Sequence, residues 1–292
     1  MGYGQHQSFY LRDRWLPKAI KEISSDERFF YNKQAFEKIG LGKNMVQSLR
    51  YWAVATNVIE EEFSKERQKF HHVTDFGQLL NKYDKSLQLN DSAALIHYFL
   101  SKQKEPGTVF NWFFNEYSQN VTSKDELLNQ YKIWVEKNEN KTVSFNSLKK
   151  DIDCLIKLYT AGLNSEDPEE VIQSPLNKLN LLKEKKNIVL KNSPTYEEIG
   201  LDALMFVLLD YCINNEVEAL TVDQIYEVKG LWGKTYNLSR VQIVTALELL
   251  SFNKRNGIKF VRTNQLDTVQ VPKLNPIKFL ENQFQRKIEA LV

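Results

Sequence analysis

Apolar residues Leu11, Trp15, Leu16, Ala19, Ile20 and Ile23 recur at helical spacing and form one stripe. Pro17 must then lie in the first turn of that helix, where its missing N–H costs nothing. A second short helix is predicted over Asn32 to Ile39, with Ala35, Phe36 and Ile39 inward, and the Gly40, Leu41, Gly42 stretch ends it. A third helix restarts near Lys43, with Met45, Val46, Leu49, Trp52 and Ala53 as its core face. NVIEEEF and RQKFHHV then read as two short strands joined by SKE. Helix, short helix, glycine turn, helix and hairpin is the order of a winged helix-turn-helix, and also of an ordinary small helical domain with a hairpin.

The same order recurs near the C-terminus. Ile199 to Ile213 is a strongly apolar helix; Thr221 can cap a second helix that stops at Gly230; Ser239 can cap a third, RVQIVTALELLSF, with Val241, Val244, Leu247 and Leu250 inward. A strand, a turn at Asn264 and Gln265, and another strand ending at Pro272 follow. Between the two copies, Asp91 to Gly162 reads as all helical, and Leu163 to Pro194, with prolines and mixed charge, reads as a linker or an irregular excursion. The expected architecture is mainly α, with two winged helix-turn-helix modules flanking a helical middle region. Its units are residues 1–88, 89–165, 166–194 (the linker) and 195–292, the last with a tail helix.

Composition leaves this picture standing. With 292 residues, 42% hydrophobic and 12% aromatic, the chain can bury two or three cores and is unlike a disordered sequence. No apolar run is long enough to cross a membrane, so a cytoplasmic location is expected. Charge changes the picture more. The whole chain carries only +2, yet Arg12 to Arg50 holds nine Lys/Arg against five acids, and Glu227 to Arg262 holds seven against two. Two basic segments in an otherwise acidic chain suit two surfaces that face a polyanion.

The candidate chemistry follows from placement. A phosphate-binding loop requires a longer glycine-spaced turn closed by Gly-Lys-Ser/Thr after a strand, whereas Gly-Leu-Gly-Lys-Asn here follows a helix. Glycines that permit a tight turn, with Lys43 and Asn44 opening the next helix, suit double-stranded DNA better. On that helix Lys43, Asn44, Gln47, Ser48 and Arg50 are the expected contacts, by base-edge or phosphate hydrogen bonds. In the second module Lys234, Ser239, Arg240 and Gln242 lead the recognition helix, while Lys254, Arg255, Lys259 and Arg262 decorate the wing as phosphate contacts.

The remaining groups point to packing. Cys154 and Cys212 sit within apolar helical patterns, as buried cysteines do. Phe110, Trp112, Phe113, Phe114 and Tyr117 read as core rather than as base-stacking residues. His6, His71, His72 and His97 have no spacing that argues a metal site. The acids Glu60, Glu61 and Glu62, the pair Asp151 and Asp153, and the run Glu166, Asp167, Glu169 and Glu170 could each hold a divalent ion, but none has a recognisable nuclease spacing.

HQSFYLRDRWLPKAI and LGKNMVQSLRYWAVAT resemble the SspB-like family, a bacterial domain of unknown function found in anti-phage clusters that install phosphorothioates in DNA. The resemblance is carried by His6, Phe9, Leu11, Arg12, Trp15 and Leu16, by Gly42 to Val46, and by Arg50 to Trp52. It is specific from about Gly4 to Trp52, with DIDCLIKLY a weaker echo. It implies a DNA-binding component of single-stranded phosphorothioation, a possible DNA nickase that uses Mg²⁺ or Mn²⁺ so that partners can exchange a non-bridging oxygen for sulfur. Those partners would be an ATPase, an ATP-pyrophosphatase-like sulfur-transfer protein and a cysteine desulfurase. No catalytic residue carries over; His6 and Arg12 are suited either to a phosphate or to fixing the N-terminal segment on the core. The residues alone leave two further readings open, a non-catalytic DNA-binding or assembly subunit and a transcriptional regulator of a defence cluster.

Overall fold

A computed structural model describes residues 2–161, 173–263 and 266–290. The chain is mainly helical, with three small antiparallel sheets. It begins with α1 (Trp15–Ser25), α2 (Ala35–Ile39), α3 (Lys43–Ala55) and the hairpin β1 (Ile59–Phe63) and β2 (Lys69–Val73), where Ile59 pairs with Val73 and Glu61 with His71. Then come α4 (Asp75–Tyr83), α5 (Asn90–Lys102), α6 (Thr108–Asn115), β3 (Val121–Ser123), α7 (Lys124–Asn138) and α8 (Phe145–Thr160). The strands β4 (Leu182–Lys185) and β5 (Ile188–Lys191) close that region. The last third holds α9 (Tyr196–Ile199), α10 (Leu201–Asn214), β6 (Ala219–Thr221), α11 (Val222–Glu227), α12 (Trp232–Thr235), α13 (Arg240–Phe252), β7 (Lys259–Val261), β8 (Thr268–Gln270) and the tail helix α14 (Pro276–Glu289).

The N-terminal elements stand where periodicity put them. Pro17 lies in the first turn of α1, and Trp15, Leu16, Ala19, Ile20 and Ile23 are buried. Gly40 ends α2 at φ +68, the left-handed conformation in which glycine carries no Cβ penalty. Ser239 and Thr221 cap α13 and α11 as expected, each accepting a backbone N–H three residues on.

Three features differ from the sequence reading. The middle region is not all helical, because β3 pairs with β5. Residues 182–191 are an ordered hairpin rather than a linker, joined through β5 to a sheet of order β3-β5-β4. Val241, read as core, is 72% exposed and Val244 only half-buried; α13 buries Ile243 and Ala246 together with the expected Leu247 and Leu250. The expected turn at Asn264 and Gln265 lies outside the described residues.

The sheet β3-β5-β4 has a counterpart in β6-β8-β7. In both, a strand leads into helices, and two further strands return so that the last lies between the other two. The core runs continuously through these regions and includes Trp52, Phe110, Phe113, Phe114, Tyr159, Trp232 and Tyr236. His97 of α5 joins them: one ring nitrogen lies 2.6 Å from the Tyr159 hydroxyl on α8 and the other 2.6 Å from the Thr235 carbonyl on α12. Burial holds its pKa down to about 4, although the Thr235 carbonyl acts the other way.

Candidate nucleic-acid interface

The N-terminal segment is fixed before α1 begins. His6 is buried, with Nε2 2.9 Å from an Asp151 carboxylate oxygen of α8, while its Nδ1 accepts the Ser8 N–H at 3.1 Å. A neutral imidazole carrying its proton on Nε2 satisfies both contacts. Gly4 N–H donates to the same carboxylate at 2.8 Å. The Phe9 carbonyl accepts the Trp52 indole N–H at 2.9 Å and the Ser48 hydroxyl at 3.4 Å. The segment therefore spans α3 and α8. His6 thus serves the packing role of the two considered.

Arg12 is half-buried, its guanidinium 5.5 Å from the rings of both Phe9 and Trp15, and its buried Nε has no hydrogen-bond partner. Lys43, Asn44 and Gln47 are exposed on the first two turns of α3, with the Lys43 ammonium 4.9 Å from the Phe36 ring. No side chain caps that helix, whose N-terminal flank is the extended Gly42. Ser48 is not on this face: it is fully buried and bound to Phe9, so it is a packing residue of α3.

Arg50 faces the hairpin instead of open solvent. Its guanidinium contacts Glu61, donates to the Tyr31 hydroxyl at 3.1 Å and to His71 Nε2 at 3.2 Å. Glu61 also receives the Lys69 ammonium at 2.6 Å and the Tyr31 hydroxyl at 2.5 Å. Burial alone would raise the Glu61 pKa, yet these donors bring it to about 2. Burial and then the Arg50 charge push His71 down to about 4. Gln47 and Arg50 line a groove of about 760 Å³ between the N-terminal segment and the hairpin.

Of the C-terminal residues, Arg240, Arg262 and Gln242 are committed to other partners. Arg240 pairs with Asp223 and with Glu227 at 3.1 Å, and Arg262 with Glu248 at 2.9 Å and Asp267 at 3.5 Å. The Gln242 side-chain oxygen accepts the Tyr196 N–H at 3.0 Å, which turns this residue toward α9. Lys234 and Ser239 line a cleft of about 270 Å³ with Lys191, whose ammonium donates to the Phe113 and Tyr117 carbonyls at 2.6 and 2.5 Å. Burial, then the neighbouring Lys234, lowers the Lys191 pKa to about 7. Lys254, Arg255 and Lys259 are exposed and form no ion pair among the described residues. The outer face of α13 also exposes apolar side chains, with Val241 at 72% and Phe252 at 88% exposure, beside Glu248.

Both cysteines and the aromatic run from Phe110 to Tyr117 are buried, as expected. The acids weighed for a divalent ion do not converge. Glu61 is occupied by cations, Asp151 is buried against His6 while Asp153 is exposed, and Glu166, Asp167, Glu169 and Glu170 lie outside the described residues. Among the described residues no group of three His, Cys, Asp or Glu side chains could hold a metal ion. No helix among them is long and apolar enough to cross a membrane.

Sequence reasoning missed the hairpin β4–β5. Lys183, Lys185 and Lys186 stand exposed on it, and the signal was present as the short apolar, β-branched run Ile188, Val189, Leu190 after a lysine-rich turn.

With this geometry in place, the chain can be assigned to a class. It belongs to the family described as protein of unknown function (DUF4007), which matches residues 3–284. In fold it is similar to SspB: one SspB crystal structure superposes with a TM-score of 0.87 at 19% identity, covering 99% of this chain and 88% of that chain. A magnesium ion-bound SspB crystal structure superposes at 0.86 with 18% identity and the same coverage. No curated protein matches.

Proposed function

We propose that this protein grips duplex DNA as a component of a bacterial DNA phosphorothioate-modification system in anti-phage defence. The observation that carries the reading is the start of α3: Lys43, Asn44 and Gln47 project from a helix N-terminus that no side chain caps. Its amide groups and dipole favour phosphate, and Asn and Gln are suited to adenine edges. Lys65 and Arg67 are exposed at the tip of the β1–β2 hairpin of the same N-terminal region.

The element order supports winged-helix units at both ends of the chain, within residues 1–88 and 195–292. In the C-terminal one, β6, α11, α13, β7 and β8 with the sheet order β6-β8-β7 match that topology. Family membership and likeness to SspB support the cellular setting, and with it a cytoplasmic location and partners in the form of an ATPase, a sulfur-transfer protein and a cysteine desulfurase.

Nicking with Mg²⁺ or Mn²⁺ is the second reading, favoured by the similarity to a magnesium ion-bound SspB structure. No residue is assigned to that step.

Fluorescence anisotropy with a 30-bp duplex tests the first reading, and supercoiled plasmid with Mg²⁺ or Mn²⁺ tests the second. Lys43→Glu should weaken duplex binding by about tenfold at 100 mM salt, with a shallower salt dependence. Wild-type protein that shows no salt-sensitive binding would sink the duplex reading. Plasmid that remains supercoiled beside binding-competent protein would leave a positioning subunit.

A further inference from the structure

The hairpin β4–β5 and helix α8 expose lysines outside both segments singled out by charge. We propose that this middle unit is an additional contact for the phosphate backbone of duplex DNA, an inference that rests on the duplex-binding reading above. Its topology is the first argument. The sheet order β3-β5-β4 repeats β6-β8-β7, so α8 occupies the position of α13, the last helix before the hairpin. In a winged helix that helix and the hairpin turn face the nucleic acid.

Burial is the second argument. α8 buries Leu148, Ile152, Leu155 and Tyr159, exposes Phe145 at its start, and beyond it exposes Asn146, Lys149, Lys150, Asp153 and Lys157. Those last five positions fall at i, i+3, i+4, i+7 and i+11, one polar stripe along the helix. The hairpin exposes Lys183, Lys185 and Lys186. Its turn is pinned to the start of α7, because Lys124 N–H donates to the Asn187 carbonyl at 3.0 Å and the Lys124 ammonium meets Glu184 at 2.5 Å.

Charge is the third argument. Lys149, Lys150, Lys183, Lys185 and Lys186 have no acidic partner among the described residues, whereas Arg240 and Arg262 each have two. Neighbouring like charges repel at low salt, and a polyanion relieves that repulsion while releasing counterions. Lysine is a compact point charge, so the surface should hold backbone phosphates without reading sequence.

The test uses the full chain and anisotropy with 30-bp duplexes of two unrelated sequences between 50 and 200 mM NaCl. Lys149→Glu/Lys150→Glu and Lys185→Glu/Lys186→Glu are compared with wild type and with Lys43→Glu, each checked for an unchanged melting temperature. Each double variant should bind about tenfold more weakly on both sequences, with the log–log salt slope shallower by about 0.9 for each phosphate that is no longer neutralised. Wild-type binding that Lys43→Glu weakens but both double variants leave intact in affinity and slope would overturn this proposal alone. Wild-type protein that fails to bind at any salt would overturn it together with the reading it rests on.

Discussion

Helix α8 with its hairpin β4–β5, and helix α13 with its hairpin β7–β8, are built on the same order of elements, but the outer faces of the two helices differ. Both helices bury an aliphatic face and lead into a two-stranded return to a strand that preceded them. On α8 the outward stripe holds Asn146, Lys149, Lys150 and Lys157 with the single acid Asp153, and Phe145 is exposed at its first residue. On α13 the outward positions include Val241, Leu249 and Phe252, and Glu248 holds Arg262. Core positions are constrained by the fold because they must interdigitate, while the outer positions are free to follow a ligand. A repeated topology therefore does not carry a repeated surface: between Glu227 and Arg262 acids hold Lys229, Arg240 and Arg262, while Lys254, Arg255 and Lys259 stay exposed and without an ion pair among the described residues.

If the two regions share a core logic, truncation beneath either surface should cost alike. Leu155→Ala and Leu247→Ala, both at fully buried positions, should each destabilise the protein by about 3 kcal/mol in urea titrations. A cost below about 1 kcal/mol at one of them would mean that its region is loosely packed and break the equivalence.

The joint between the regions should fail next, on acidification. His97 is held neutral with a pKa near 4, whereas an unfolded histidine titrates near 6.5. The unfolded chain takes up the proton first, so the stability contribution is full above about pH 6.5 and is lost as pH falls toward 4. At pH 5 the loss carried by His97 should be about 2 kcal/mol relative to pH 7.5, read as a lower urea midpoint, and His97→Phe should make the dependence shallower by that amount, leaving the share of His71, which is also depressed to about 4. A midpoint with the same pH dependence in the variant would remove His97 as the acid-sensitive joint.

A smaller effect separates the surfaces directly. Because acids already hold Arg240 and Arg262, the double change Arg240→Ala/Arg262→Ala should alter duplex affinity by no more than about twofold, since exposed paired charges contribute little. A loss of tenfold or more, measured by anisotropy, would return α13 to the interface. Smallest of all, Phe252→Ser should leave the melting transition within about 0.5 kcal/mol of wild type, because a ring that is 88% exposed makes few core contacts. A larger loss would mean that the ring packs where the structure leaves it in solvent.

Much of the N-terminal third was legible in the chain. The stripe from Leu11 to Ile23, the arrest at Gly40 and the restart at Lys43 are local signals, set by residues within a few positions of one another, and the structure follows them. Ser48 was misplaced because a small hydroxyl beside Gln47 reads as surface, and only the passage of the N-terminal segment over α3 buries it. Arg50 and Arg240 read as free cations because their acids lie on a facing strand or another helix. The hairpin β4–β5 was obscured because its partner β3 lies some sixty residues earlier and is only three residues long.

By itself, then, the sequence determined the helical periods, their glycine and hydroxyl boundaries, the buried cysteines and aromatics, and membership in a family recognisable from Gly4 to Trp52. Each depends on neighbours along the chain, where spacing alone decides which face is apolar. Only the tertiary structure decided which cations stay unpaired and which polar residues are buried. Those outcomes depend on contacts between segments far apart in the chain, such as His6 with Asp151 and Lys124 with Glu184, and no local pattern encodes which distant carboxylate a given cation will meet.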